Sequence, residues 1–254
     1  LSLKKTIMHN TEEKNYIFGI RAIIEAVEAG KTIDKLFIQK GLHNDLFAEL
    51  WKLVREKRIN YKHVPLEKIN RLTRKNHQGV FAFISPIDFH NIEDVIPKLY
   101  EEGKNPLVLV LDRITDVRNF GAIARTAECA GVDTILIPEQ NAAAINADAI
   151  KTSAGALHKV TVCRTWNLKL ALQFMKESGI QLIGCTEKTQ DDMYKPNYTT
   201  PTAIIIGSEE DGVSPEFLKM CDARAKIPMN GKIASLNVSV ATGVILYEAI
   251  RQRG

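Results

Sequence analysis

The chain has 254 residues, 45% of them apolar and 25% charged, an ordinary composition for a soluble protein with one large domain or two modest ones. Its apolar runs, such as Leu107–Leu111 and Ala203–Ile206, are strand-sized rather than membrane-sized, and the N-terminus lacks a secretory apolar core, so a cytoplasmic protein is expected. The net charge of +4 sits entirely in residues 1–105, which carry 18 basic against 14 acidic side chains, while residues 106–254 balance at 16 each.

Residues 1–14 are read as a tail. From residue 15 to 90 helical and strand patterns alternate in a small α/β module. Ala22, Ile23, Ala26 and Val27 form a helical stripe that Gly30 stops. Lys35–Ile38 reads as a strand, and Asn44 is placed to cap a helix running to about Arg58. Tyr61–Val64 and Val80–Ile84 read as further strands. Between Lys52 and Lys75 lie nine basic residues (Lys52, Arg55, Lys57, Arg58, Lys62, Lys68, Arg71, Arg74 and Lys75), opposed only by Glu56 and Glu67. Such a stretch can neutralise phosphates of a nucleic acid, or it can be a solvated helix face.

Residues 91–105 are read as a linker, punctuated by Pro97 and Gly103, with one short helix near Asp94–Tyr100. Beyond it, from 106 to 254, strands are expected at Leu107–Leu111, Thr134–Ile137, Val160–Val162, Gln181–Cys185, Ala203–Ile206 and Ala223–Ile227. Helices are expected at about Phe120–Ala130, Ala147–Ala156, Leu168–Ser178, Pro215–Met220 and Val238–Arg251. Apolar strands alternating with helices imply an α/β domain with a parallel sheet covered on both faces. Ligands in such sheets sit beyond the carboxyl ends of the strands.

No two glycines are separated by a single residue, so the dinucleotide fingerprint is missing. Gly207 and Gly212 have P-loop spacing, but Val213 stands where Lys is required. The four cysteines form no C-x-x-C pair and the six histidines no H-x-x-x-H pair, so free thiols and no protein-held metal are expected. Three polar clusters do follow expected strands. They are Asp116–Ala127, Gly207–Gly212, and Ile227–Gly231 continuing through Ser235-Leu236-Asn237-Val238. Loops at neighbouring strand ends converge on one crevice.

These clusters resemble the three motifs of the SpoU (TrmH) group of SPOUT methyltransferases. N-x-G-x-x-x-R-T-A is present as Asn119, Gly121, Arg125, Thr126 and Ala127, and G-S-E-x-x-G as Gly207, Ser208, Glu209 and Gly212. I-P-M-x-G-x-x-x-S-L-N-V-S-V-A runs unbroken from Ile227 to Ala241. Phe18-Gly19 and His77-Gln78-Gly79-Val80 are similar to the substrate-binding domain of the ribosomal-RNA branch. Val117 departs from the Pro common in relatives, a change of loop stiffness more than of chemistry.

The resemblance implies a C-terminal domain with a deep trefoil knot, a homodimer, and S-adenosylmethionine held by Gly207, Ile227 and Leu236 with Ser208, Gly212, Met229 and Ser235. It further implies transfer of methyl to a ribose 2′-hydroxyl, with Arg125, Asn119, Glu209, Ser235 and Asn237 as catalytic residues. A guanidinium holds its proton tightly, so Arg125 is expected to orient the hydroxyl and steady the alkoxide. Asn119 would position Arg125 or the ribose, or cap its helix. Glu209 would pair with Arg125 or the nucleotide, and Ser235 and Asn237 would bond ligand or cap the last helix. RNA docking falls to Lys52, Arg55, Arg58, Arg71, Arg74, Lys75, His77 and Gln78. The expected substrate is ribosomal RNA, at a guanosine of the large-subunit (23S) RNA. The alternatives are a transfer-RNA methyltransferase and a non-catalytic RNA-binding assembly factor.

Overall fold

The computed structural model describes residues 16–232 and 235–254, and the chain divides into two compact units, to Ser85 and from Pro86. The proposed tail, 1–14, lies outside the described residues.

In the first unit a four-stranded sheet runs in the order β1-β4-β2-β3. Its strands are β1 (Tyr16–Phe18), β2 (Ile33–Gln39), β3 (Tyr61–Val64) and β4 (Val80–Ile84). One face buries Leu36, Ile38, Val80 and Ala82 against Ile20, Ile23 and Ile24 of α1 (Ile20–Glu28) and Leu50 and Val54 of α2 (Asp45–Glu56). Period-2 alternation puts Phe37 and Phe81 on the other face, where Ile69 of α3 (Leu66–Leu72) covers them. Asn44 caps α2 as expected, its side chain accepting from Phe47 N–H at 2.8 Å. Strand β1 and helix α3 have no clear signal in the sequence. Both are short, and tertiary contacts rather than periodicity hold them.

The second unit is a six-stranded parallel sheet, ordered β10-β8-β9-β5-β6-β7. The strands are β5 (Leu107–Leu111), β6 (Thr134–Pro138), β7 (Thr161–Thr165), β8 (Gln181–Cys185), β9 (Thr202–Ile206) and β10 (Ala223–Ala225). β5 and β9 are buried along their whole length, as a parallel sheet with helices on both faces requires. Helices α5 (Val117–Cys129), α6 (Ala147–Thr152) and α9 (Val238–Arg253) cover one face. Helices α4 (Ile92–Glu101), α7 (Leu168–Glu177) and α8 (Pro215–Met220) cover the other.

Several boundaries differ from expectation, β7 among them, which runs Thr161–Thr165 rather than Val160–Val162. Residues 91–105, read as a linker, belong to the second unit: α4 buries Ile92, Ile96 and Leu99 in the sheet core. The preceding residues also attach there, since His90 bonds the edge strand β7 through Val162 O and Arg164 N. The helix expected from Ala147 to Ala156 ends at Thr152 and resumes as one 3-10 turn at Ala156–His158, because Ala154 and Gly155 take positive φ. β10 stops at Ala225, two residues short of Ile227.

Candidate active site at the carboxyl ends of β5, β8, β9 and β10

The buried strand β5 delivers the chain into α5, whose first turn is capped by Asp116, accepting from Asn119 N–H at 2.7 Å. Asn119 therefore lies inside the helix, and the capping role considered for it belongs to Asp116. Its side chain is left free to point across the site. Gly121, one turn further, is buried against α6: a Cβ there would lie 2.7 Å from Thr152 Cβ and 3.0 Å from Ala149 O. The glycine of the first cluster is thus a packing requirement that sets how closely α5 and α6 approach.

Strand β9 leads into the second cluster. Gly207 passes so close to the returning loop that a Cβ would sit 1.9 Å from the carbonyl carbon of Gly212, so no other residue fits. Gly212 N–H donates to Ser208 O at 2.9 Å, and Gly212 itself adopts φ 71°. This tight loop projects Glu209.

The third cluster begins beyond β10. Lys226 pairs with Asp191 and Met193 of the loop after β8, and the chain reaches α9 at Asn237. Asn237 caps α9, accepting from Ser239 N–H at 3.0 Å and Ser239 Oγ at 2.6 Å. Ser235 is exposed and has no cap bond.

These three stretches meet on one carboxylate oxygen. Glu209 Oε1 accepts from Asn119 Nδ2 at 3.0 Å, from Asn237 Nδ2 at 2.8 Å and, more weakly, from Val238 N–H at 3.4 Å. Asn237 Nδ2 also donates to Asn119 Oδ1 at 3.1 Å. A carboxylate taking several N–H donors is a strong organising centre, each bond to charge exceeding a neutral one. Glu209 is thus bonded to the two asparagines and not to Arg125, and Asn119 is likewise not bonded to Arg125. The Arg125 guanidinium is exposed on α5 with no hydrogen bond or ion pair among the described residues. A guanidinium without a bonded partner among the described residues can bind an anion or steady a developing oxyanion.

The cofactor residues named from sequence occupy the same end of the sheet. Gly207, Ser208 and Gly212 form the β9 loop, and Ile227 packs at the edge of the core. Met229 is 36% exposed and Leu236 half-buried. Backbone groups and apolar side chains dominate, without a glycine-rich phosphate cradle. Among the described residues no His/Cys/Asp/Glu cluster could hold a metal ion.

A second network at this edge escaped the sequence reading. Asp112, 2% exposed, accepts from Ser214 N–H at 2.7 Å and Ser214 Oγ at 2.6 Å. Arg113 takes φ 61° and donates to Asp112, Asp211 and Gly212. A charged pair directly following a fully apolar strand was the available signal.

In the first unit, Lys52, Arg55, Arg58, Arg71, Arg74 and Lys75 are all exposed. Arg71 and Arg74 line an open groove of about 790 Å³ with Glu67, Asn70, Leu72 and Thr73. His77 and Gln78 behave differently. His77 is buried, its Nδ1 accepting from Gly79 N–H at 3.0 Å, so Nε2 carries the proton it donates to Asn70 Oδ1 at 2.8 Å. Gln78 Oε1 accepts from Ile20 N–H at the start of α1 at 2.9 Å. His77 is thus engaged inside the unit, against the expectation that it faces RNA, whereas Gln78 braces the start of α1 and remains exposed.

Two family models match: SpoU rRNA Methylase over residues 106–247, and RNA 2′-O ribose methyltransferase substrate binding over residues 16–90. The TrmH-family protein YacO of Bacillus subtilis (strain 168) is 31% identical over 243 residues, 96% of this chain and 98% of its own length. A TrmH-family protein of Staphylococcus saprophyticus is 34% identical over 241 residues, 95% of this chain and 97% of the relative. The names of both class them with tRNA/rRNA methyltransferases. Among solved structures, the SpoU methyltransferase AviRb from Streptomyces viridochromogenes superposes with a TM-score of 0.59 at 25% identity, over 94% of this chain and 89% of that one. AviRb is also solved in complex with the cofactor AdoMet. A TrmH/SpoU tRNA modifying enzyme from A. aeolicus gives a TM-score of 0.54 at 35% identity, over 64% of this chain and 84% of that one.

Proposed function

The chain belongs to the SpoU rRNA Methylase (TrmH) family, and from that premise we propose that it is an S-adenosylmethionine-dependent methyltransferase acting on a ribose 2′-hydroxyl of ribosomal RNA. The observation that carries this reading is the convergence of Asn119 and Asn237 on one carboxylate oxygen of Glu209, Asn119 being on α5, the helix that also carries the exposed Arg125.

The residues present fit the donor. Gly207 closes on Gly212 with no room for a side chain, and Ile227, Met229 and Leu236 supply apolar surface at the same strand ends. Gly207, Ser208, Gly212, Ile227, Met229, Ser235 and Leu236 would hold it. When bound, S-adenosylmethionine supplies a methyl group on a sulfonium that departs as a neutral thioether. The protein's task is then the nucleophile, a weakly acidic hydroxyl that must be oriented and relieved of charge as its proton leaves. Arg125 is free to meet that oxygen. A guanidinium is too weak a base to take the proton, which passes to solvent water as the new O–CH3 bond forms. Glu209, Asn119 and Asn237 tie together the three elements that would carry the donor and Arg125.

Ribosomal RNA is the preferred substrate because a basic α/β unit precedes the catalytic one. Its exposed Arg71, Arg74 and Lys75 suit phosphates of a large folded RNA. A guanosine of the 23S RNA is the target we propose within it. Transfer RNA is the second reading, favoured by the 35% identity to the A. aeolicus enzyme over the catalytic region. Homodimerisation is supported by α9, which buries Ile245, Leu246 and Ala249 on one side yet leaves Val240 and Tyr247 more than half exposed on another. The pairing of Lys226 with the 191–193 loop, and of Gln252 with Tyr198 and Pro196, supports reading the C-terminal path as the family's deep knot.

The test is transfer of labelled methyl from S-adenosylmethionine to purified ribosomal RNA, to transfer RNA, and to RNA from a deletion strain, with 2′-O-methyl mapping of the product. Methyl on a 23S guanosine in deletion-strain RNA is the expected result. Label only in transfer RNA would replace the substrate, and no label in any RNA would overturn the activity.

A further inference from the structure

We infer that Arg113 is a positioning residue that holds the Glu209-bearing loop in its working shape by bracing it against the end of β5. The inference concerns how the proposed methyl-transfer site is built, and so rests on that reading for its consequence in turnover.

The geometry is specific. Arg113 is a bulky residue at φ 61°, a left-handed conformation that a long side chain rarely adopts. That backbone turn accompanies a guanidinium whose three nitrogens are all engaged. Nε donates to Asp112 Oδ1 at 3.3 Å, Nη1 to Asp211 Oδ2 at 2.8 Å and Nη2 to Gly212 O at 3.0 Å. Asp112 is anchored in turn. Its other oxygen takes both the backbone and the hydroxyl of Ser214, and its N–H donates to Ile206 O at the end of β9. The loop is therefore tied at Asp211, Gly212 and Ser214, on the side away from the sequence position of Glu209. Within the loop, Asp211 N–H donates to Ser208 Oγ at 3.2 Å, so displacement of Asp211 would reach Ser208 as well. The carboxylates of Asp211 and Asp112 outweigh partial burial and raise the Arg113 guanidinium further above its ordinary value.

A planar fork explains why Arg stands here. Lysine offers one compact ammonium and cannot span a carboxylate, a neighbouring carboxylate and a carbonyl in one plane. Among the described residues Arg113 bonds none of Asn119, Glu209, Asn237 or Arg125, so its influence runs through the loop.

The experiment compares Arg113→Ala, Arg113→Lys and the milder Asp211→Asn in the full chain by hydrogen exchange and by steady-state methyl transfer. Amide exchange at residues 208–212 should rise at least about tenfold in Arg113→Ala, with α5 and α9 unchanged. The kcat should fall about tenfold, equivalent to about 1.4 kcal/mol, with KM for RNA nearly constant. In a Glu209→Gln background the same Arg113→Ala change should cost less than about twofold, since coupled residues are not additive. Arg113→Lys should recover little of either readout. Unchanged exchange in Arg113→Ala and Asp211→Asn would overturn the proposal even if the wild type proves to methylate no RNA. Raised exchange with undiminished kcat, or full additivity with Glu209→Gln, would overturn it while leaving the proposed activity intact.

Discussion

Asn237 Nδ2 donates to Glu209 Oε1 at 2.8 Å, joining the cap of the last helix to the loop after β9 across 28 residues of sequence. Asn119 donates to the same oxygen from a third element, so one atom fixes the relative position of three loops.

Removing that carboxylate should therefore act on catalysis more than on stability. Glu209→Ala strands two exposed amides that water can satisfy, so the melting temperature should change little. Loosening of the elements that the lost bonds join should lower kcat/KM by roughly ten- to a hundredfold, about 1.4–2.7 kcal/mol. Thermal melts and single-turnover methyl transfer on the same preparation check both halves.

Gly207→Ala tests the cradle. Its Cβ would meet Gly212 at 1.9 Å, a contact that only backbone movement relieves. The variant should fold, because the clash lies at a loop, but calorimetry should find S-adenosylmethionine affinity reduced by more than about tenfold, a loss of over 1.4 kcal/mol. Unaltered affinity would place the cofactor elsewhere.

For Arg125 the informative change is to lysine. An ammonium keeps the charge and loses the planar fork. Turnover should drop while cofactor affinity holds; a near-full rate would mean that charge alone suffices.

The first unit separates binding from folding. Neutralising Arg71, Arg74 and Lys75 together should weaken RNA binding and lower the slope of log K against log salt by roughly three phosphate contacts at most. Gln78→Ala and His77→Ala should instead lower the melting temperature, because Ile20 N–H and Asn70 lose their partners.

Alkaline pH should expose the buried thiol of Cys163, which desolvation pushes up to about 11 despite the hydrogen bond with Thr134. The folded-state value lies above the unfolded one. Its stabilising contribution is thus complete below the unfolded value and is lost as pH climbs towards about 11. Urea titrations over that range should show a steeper decline for the wild type than for Cys163→Ala, by at most about 1.4 kcal/mol per pH unit. Equal slopes would show that the thiol is not buried in solution.

Much of this protein was legible in the order of its residues. Apolar strands such as Leu107–Leu111 and Ala203–Ile206, spaced by helical stripes, specify a covered parallel sheet because only that arrangement buries them on both faces. The three polar clusters follow from the same logic, since the loops of a parallel sheet open at one edge. What only the folded chain decided is who touches whom there. Periodicity assigns a residue to a face, but a side-chain hydrogen bond depends on distances of a few tenths of an ångström between elements far apart in sequence. So Glu209 met the two asparagines instead of Arg125, and Asp116 took the cap considered for Asn119. His77 turned inward, Gln78 tied itself to the start of α1, and Arg113, marked only as half of a charged pair after an apolar strand, became a strut.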